Sequence, residues 1–342
     1  MAKSPSIPSR SSRWKKWALV VAASSVFSLS VLELAYRFQW VDTYAGALKG
    51  LNTPDELSAS GRTILVMGDS FSAFRDSWVR DLRVQFPNYR VVNSSVSGTG
   101  IVQADFMARR RFREFKPDLL VYQIYVGNDL ADCRYPFSWT GMNPIRNLYG
   151  WASGWLRSLS FLNQALGGFS SDLSTQELQK RYEKPFSVDD YNDREKIMLS
   201  AEPGLIENQV ALVGGREADM PAYNERLDDL LQVCEAQGTQ AVLLVLPHAA
   251  QVDSSQMENM KLLGASFGTQ WPKGDDYPFL NRLAAHVQGR AMVLSPLGDM
   301  RTAVNSGLSL FYPNDPHLTE AGQRWLGSWL CAAIREVDFA NP

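Results

Sequence analysis

The sequence is poor in cysteine and histidine, and it has no excess of charge of either sign. Its 342 residues include three cysteines and three histidines, and 34 lysines and arginines face 36 aspartates and glutamates. No CxxC pair occurs, so the spacing favours neither a zinc site nor a disulfide framework, and we expect Cys133, Cys234 and Cys331 to be buried. The balanced charge gives no basic field for nucleic acid. The sequence contains no internal repeat and no low-complexity segment, so it does not indicate a solenoid or a disordered chain.

The N-terminal part does contain a long apolar run. Residues 17–32, WALVVAASSVFSLSVL, carry no charge, and the basic residues Arg10, Arg13, Lys15 and Lys16 precede them. The run predicts a membrane helix at residues 17–36, with residues 1–16 as a cytoplasmic tail and the later chain periplasmic or extracellular. A cleavable signal peptide and an amphipathic or buried helix are the alternatives. Residues 37–60 are predicted to be a juxtamembrane linker.

Five short runs after residue 60 are apolar on both faces, which is typical of parallel strands covered by helices. They are Thr63–Gly68, Tyr89–Ser94, Leu119–Val126, Gln240–Pro247 and Ala291–Ser295. Amphipathic patterns separate them, the clearest at residues 318–334. We therefore predict an α/β fold, a three-layer α/β/α sandwich with a parallel sheet of about five strands, over residues 61–338.

An insertion at about residues 130–219 interrupts this alternation. It is rich in aromatic residues: Trp139, Tyr149, Trp151, Trp155, Phe161 and Phe169. Three interpretations stay open for them. They could stack on a sugar, touch the membrane, or form a satellite core under the insertion.

Polar motifs follow the first three predicted strands, at the sheet edge where α/β proteins bind ligands. The first motif is Gly68-Asp69-Ser70, in which the serine is expected at the start of a helix, where backbone N–H groups could stabilise an oxyanion. The second is Ser-Gly-Thr-Gly with Gly98 and Gly100, and the third is Gly-Asn-Asp with Asn128 and Asp129. Each motif alone is also compatible with an ordinary cap or turn.

A carboxylate and an imidazole lie two residues apart before the C-terminal helical pattern. In the segment YPNDPHLTEAG, Asp315 can fix the tautomer of His317 and stabilise its cation. His248 follows the fourth strand and could line the same cleft, whereas His286 lies on a helical pattern. A second serine motif, Gly-Ala-Ser266-Phe-Gly, lacks the preceding buried strand that a nucleophile elbow requires.

The motifs Gly-Asp-Ser, Ser-Gly-x-Gly, Gly-Asn-Asp and Asp-x-His occur in this order along the chain. Together they resemble the SGNH hydrolase family, also called GDSL esterases and lipases. The resemblance covers about residues 63–337 and leaves the membrane helix and the insertion unmatched. It implies a flavodoxin-like sandwich, no metal and no organic cofactor. It also implies Ser70 as nucleophile, His317 as general base and Asp315 as the acid that orients it. The oxyanion hole would combine the backbone N–H groups of Ser70 and Gly98 with the Asn128 amide.

The residues expected to line the cleft besides these are Asp69, Gly100, Asp129 and His248. The expected activity is hydrolysis of acyl esters outside the cytoplasmic membrane, on O-acetylated carbohydrate. One alternative is an O-acetyltransferase that modifies exported polysaccharide, with a multispanning acyltransferase as partner. A second is a catalytically idle carbohydrate-binding or assembly module.

Overall fold

The core of the structure is one five-stranded parallel sheet. Its strands are β1 Arg62–Met67, β2 Tyr89–Asn93, β3 Leu119–Tyr125, β4 Gln240–Leu246 and β5 Met292–Leu294. Their order across the sheet is β2-β1-β3-β4-β5. In this computed structural model, the residues that can be described are 10–133, 148, 151–152, 155–159, 180 and 182–336. The predicted fold class and all five strands are confirmed.

Burial explains why these runs form the sheet. Every residue of β3 is buried, as are the last five of β1 and the last six of β4, so these strands are covered on both faces. The short β5 is only partly buried and pairs with β4 alone. The three central strands therefore fix the positions of the loops at their carboxyl ends.

Helices cover both faces of the sheet. The helix Ile101–Phe115 packs against Met220–Gln237, and Val79–Gln85 packs against Glu320–Glu336. The helix predicted over residues 318–334 is thus confirmed as Glu320–Glu336. Among the described residues, the other helices with defined bounds are Arg10–Arg37, Ala45–Leu51, Pro54–Ser58, Asp129–Asp132, Asp193–Ala201, Leu205–Ala211, Ala249–Val252, Ser254–Leu262, Pro278–His286 and Leu297–Asn305, with a 3-10 helix at Arg216–Asp219.

The N-terminal helix Arg10–Arg37 projects its apolar side chains outward. Within its segment Trp14–Arg37, an 18-residue stretch has a mean hydropathy of 2.0, and the segment is long and apolar enough to cross a membrane. The following residues, predicted as a linker, are folded onto the domain. Tyr44 and Leu48 belong to its core, and Asn52 exchanges hydrogen bonds of 2.7 and 2.8 Å with the backbone of Asn93 on β2.

All three cysteines are buried, as expected, and none of them forms a disulfide within the described residues. The described part of the insertion forms a second small core around Tyr191, Leu199 and Ile206, which pack with Ala250, Met260 and Ala265. Trp151 and Trp155 are exposed and do not belong to it. The other four aromatics singled out in the insertion, Trp139, Tyr149, Phe161 and Phe169, lie outside the described residues.

Candidate active site

Ser70 lies in the turn that follows β1, at the carboxyl edge of the sheet. The Asp69 carboxylate accepts a hydrogen bond of 2.9 Å from the Phe71 N–H, and the Asp69 carbonyl accepts from Ser72 and Ala73. The helix expected to start at Ser70 is absent there, because these bonds close a series of turns. The first helix after β1 begins only at Val79.

Ser70, His317 and Asp315 form one chain of hydrogen bonds, although Ser70 and His317 are 247 residues apart. His317 Nε2 lies 2.7 Å from Ser70 Oγ. On the other side of the ring, His317 Nδ1 contacts Asp315 Oδ1, which also accepts the His317 backbone N–H at 2.9 Å. Asp315 is buried, whereas the His317 side chain is 30% exposed. The imidazole of His317 therefore contacts Asp315 on the buried side of the ring and Ser70 on the side that faces solvent.

The loop that carries His317 is fixed at both ends. Thr319 N donates to the Leu310 carbonyl at 2.9 Å, and Tyr312 N donates to the His317 carbonyl at 3.1 Å. A Cβ at Gly322 would lie only 2.2 Å from the Leu310 carbonyl oxygen, so glycine permits this close approach of helix and loop. The ring of Phe71 packs on the imidazole with ring centroids 4.7 Å apart.

The electrostatics of the pair suit a base and its orienting acid. Burial alone would lower the pKa of His317, but the charge and hydrogen bond of Asp315, with Asp69 and Glu195 nearby, raise that pKa above its ordinary value. Burial alone would raise the pKa of Asp315, but the His317 charge and the hydrogen bonds from His317 and Asn192 lower it. Asp315 is therefore ionised when His317 takes up a proton.

The insertion supplies residues to this site that the motifs did not predict. Asn192 Nδ2 donates to Asp315 Oδ2 at 2.7 Å, while Asn192 Oδ1 accepts from Arg194 N at 2.9 Å and caps the helix Asp193–Ala201. The neighbouring Asn314 accepts the Asn192 backbone N–H at 3.0 Å. Sequence could have indicated only the helix start, because Asn192 with a glutamate three residues later is a capping pattern.

The expected oxyanion-hole residues gather at the same edge. Gly98 has a φ of +70°, a conformation that favours glycine, and it is exposed. Among the described residues, the backbone N–H groups of Ser70 and Gly98 have no hydrogen-bond partner. Asn128 Nδ2 donates to Asp132 Oδ2 at 2.9 Å and retains a second N–H. The loops are also joined by Val96 N, which donates to the Gly68 carbonyl at 2.9 Å.

The four residues predicted as possible lining of the cleft, Asp69, Gly100, Asp129 and His248, are all buried. Asp129 accepts the Tyr125 N–H at 2.9 Å, and burial with the nearby Asp69 charge raises its pKa well above the ordinary value. His248 Nδ1 accepts the Ala250 N–H at 3.0 Å, and burial lowers the pKa of His248 to about 3. The side chains of Asp129 and His248 therefore hydrogen-bond to the backbone at or close to the ends of the strands that they follow.

Further carboxyl groups surround the triad. Burial raises the pKa of Asp69 to about 6 and of Asp132 to about 6. Burial, with the Asp315 charge, raises the pKa of Glu195 to about 7. Arg194 is exposed, and its Nη1 lies 3.5 Å from where a Gly98 Cβ would be. The Arg194 guanidinium therefore lies at the rim of the site, whereas Asp69 and Glu195 are buried. Among the described residues, no group of three or more acids, histidines or cysteines could hold a metal ion.

No model of a known protein family matches the chain, and no curated protein matches it. Several solved structures are similar. One is TesA, with a TM-score of 0.37 and 16% identity over 79% of this chain and 97% of that chain. A GDSL-like lipase from Bacteroides thetaiotaomicron has a TM-score of 0.39 and 12% identity over 86% and 96%. An acetylxylan esterase from Geobacillus stearothermophilus has a TM-score of 0.41 and 13% identity over 82% and 96%. These similarities are too low to indicate a function. The fold is established by the five-stranded parallel sheet, and the site is defined by the contacts of Ser70, His317 and Asp315.

Proposed function

We propose that the chain is a serine-dependent acyl ester hydrolase of the SGNH/GDSL type, with Ser70 as nucleophile, His317 as general base and Asp315 as the acid that orients His317. One observation carries the proposal. His317 Nε2 lies within hydrogen-bond distance of Ser70 Oγ while its Nδ1 contacts a buried carboxylate, at the sheet edge where α/β folds place their sites.

The proposed reaction proceeds through an acyl-enzyme. Ser70 Oγ attacks the ester carbonyl carbon as His317 Nε2 takes the hydroxyl proton, and the carbonyl π electrons move onto the oxygen. When the tetrahedral intermediate collapses, the bond to the alcohol breaks and the proton on His317 passes to that alcohol. Water then attacks the acyl-Ser70 ester in the same way, which releases the acid and restores the serine.

Three donors are proposed to stabilise the oxyanion: the backbone N–H groups of Ser70 and Gly98 and the second N–H of Asn128. Such donors accelerate reaction because they are already oriented toward the position where negative charge develops. The bond from Asn128 to Asp132 supports this role, since it holds the amide in one orientation.

The substrate is proposed to be an O-acetylated carbohydrate outside the cytoplasmic membrane. Ser70 is half-buried, and Gly98 and Arg194 at the rim are exposed, which supports access by a bulky ester. The export of the domain is supported by the apolar helix at Trp14–Arg37 and by the basic residues at its start.

The test is hydrolysis of 4-nitrophenyl acetate and of an acetylated oligosaccharide by the full-length protein in detergent. Ser70→Ala is expected to lower turnover by about a thousandfold or more, and Ser266→Ala, at an exposed serine, is the matched control with no effect. Full activity of Ser70→Ala would refute the assignment. A serine-directed phosphonate should label Ser70, and a chain that is neither labelled nor active is the idle module. Faster acetyl transfer to an added oligosaccharide than to water would identify a transferase.

A further inference from the structure

An apolar patch lies beyond the end of the N-terminal helix. Six side chains make up this patch, and each is 64% to 70% exposed: Phe38, Trp40, Val41, Leu148, Trp151 and Trp155. Within the described part of the chain after residue 37, every strongly exposed phenylalanine or tryptophan belongs to it. Exposed apolar groups concentrated in this way mark a surface that contacts a partner or a membrane.

Hydrogen bonds fix the insertion to the end of the N-terminal helix. Glu33 is buried and accepts the backbone N–H groups of Arg157 at 3.1 Å and Ser158 at 2.9 Å. Arg37 donates through Nη2 to the Trp155 carbonyl at 2.9 Å and through Nε to Glu33. The two parts of the patch, one after the helix and one in the insertion, are therefore neighbours.

The joint between this helix and the catalytic domain is also fixed. The ring of Tyr36 stacks on Phe106 with centroids 4.4 Å apart. Asp42 forms a two-pronged ion pair with the buried Arg111, at 2.6 and 3.0 Å. Both partners lie on the helix Ile101–Phe115 of the domain. The domain is therefore not free to rotate on a flexible tether, and the patch keeps a set position relative to the helix axis.

The length of the helix sets the depth of the patch. Trp14–Arg37 comprises 24 residues, about 36 Å at 1.5 Å per residue, against about 30 Å of bilayer hydrocarbon. Phe38 and Trp40 then lie at the headgroup level, where tryptophan and other amphipathic rings are favoured. Trp151 and Trp155 are each helical in conformation and exposed.

We propose that the apolar patch is inserted into the exported interface of the bilayer that the helix crosses, and that it holds the catalytic domain against the membrane surface. The inference rests on the proposed membrane anchor but not on the catalytic roles. Its consequence concerns the site, because the helix Ile101–Phe115 begins at the loop that contains Gly98. The rigid joint thus holds Ser70 at a set height above the bilayer, and the proposed enzyme meets esters presented at the membrane surface.

The first test uses the unmodified full-length chain in vesicles of phosphatidylethanolamine and phosphatidylglycerol that contain a lipid with a photoactivatable group near its headgroup. After illumination, we expect labelled peptides from residues 38–41 and 148–159 as well as from the helix. Labelling of the helix without residues 148–159 would overturn the docking proposal alone. Absence of label from residues 17–32 would overturn the anchor, and the docking proposal with it.

The second test places a polarity-sensitive fluorophore at single introduced cysteines in the same vesicles. Because the three native cysteines are buried, Trp155→Cys can be labelled selectively. The control is Leu262→Cys, at an equally exposed apolar residue on the helix Ser254–Leu262. We expect the label at 155 to be quenched severalfold more by lipids with a shallow nitroxide than by iodide in water, and the label at 262 to show the reverse. Equal iodide quenching at both sites would refute the proposal.

Discussion

Glu195 offers the most informative perturbation of the site, because it is a buried carboxyl group beside the proposed catalytic pair. Burial raises its pKa from 4.5 to about 7, and the nearby Asp315 charge adds to this effect. In turn, the Glu195 charge contributes to the raised pKa of His317. The substitution Glu195→Gln keeps the shape of the side chain and removes its titration.

The effect of Glu195→Gln on the free energy of unfolding follows from the linkage between proton binding and folding. A group whose pKa is higher in the folded state stabilises the fold fully below its unfolded pKa, and this contribution is lost as the pH rises through the folded value. A change from 4.5 to about 7 corresponds to about 3 kcal/mol. We therefore expect Glu195→Gln to match the wild type near pH 4 and to be more stable by about 3 kcal/mol above pH 8.

The effect on activity has a defined direction. His317 must be neutral to accept the Ser70 proton, so activity rises with pH through the pKa of His317, which the Asp315 charge raises above its ordinary value. Removal of the Glu195 charge lowers that pKa, and the acidic limb of the kcat/KM profile should move to lower pH. Because the Glu195 charge acts on His317, the acidic limb of the wild type should reflect both groups, and the variant should show a simpler limb.

Both effects can be measured on the full-length protein in detergent. Thermal unfolding from pH 4 to 9 should show a difference in Tm that grows with pH, and ester hydrolysis over the same range gives the limb. Glu225→Gln, at an exposed glutamate on the helix Met220–Gln237, is the matched control and should change neither property. A stability difference that is independent of pH, or an acidic limb that does not move, would refute the reasoning.

Three further substitutions test individual contacts. Asn192→Ala removes the 2.7 Å bond to Asp315 and should lower kcat by about tenfold with little change in KM, because a hydrogen bond to a charged group contributes about 1.5 to 3 kcal/mol; an unchanged kcat would contradict this. Asn128→Ala should lower kcat by about a hundredfold or more, and steady-state kinetics on 4-nitrophenyl acetate would show a smaller loss if the amide is not an oxyanion donor. Gly322→Ala puts a Cβ 2.2 Å from the Leu310 carbonyl oxygen, so a lowered Tm is expected by calorimetry, whereas an unchanged Tm would show that helix and loop can separate.

The sheet could be predicted because its signal is local. Each strand of the centre is a short run that is apolar on both faces, and the alternation with helices leaves few arrangements. The same rule put the motifs with Ser70, Gly98 and Asn128 at one edge of the sheet. The meeting of His317 with Ser70 followed only from the joint pattern of motifs, since nothing local links positions so distant in sequence.

The side chains that hydrogen-bond to the site residues could not be predicted either, because they too are distant in sequence from their partners. Asn192 and Asp315 are 123 residues apart, and neither sequence neighbourhood names the other as partner. His248 was expected in the cleft because it follows a strand, but its Nδ1 caps the helix Ala249–Val252 and draws the ring inside. A residue type at a strand end shows which edge the residue occupies, whereas its side-chain partners decide whether it faces the cleft.

The insertion contacts both the apolar N-terminal helix and the candidate active site, which the sequence motifs did not connect. One of its segments bonds to Glu33 at the end of the apolar helix through Arg157 and Ser158. Another orients the triad acid, since Asn192 bonds to Asp315. The family resemblance does not cover the insertion, and a free esterase has no need to set its catalytic acid and its membrane position through the same stretch of chain. Both contacts agree with the two proposals made above, an esterase site at Ser70 and a domain held at a fixed height above a bilayer.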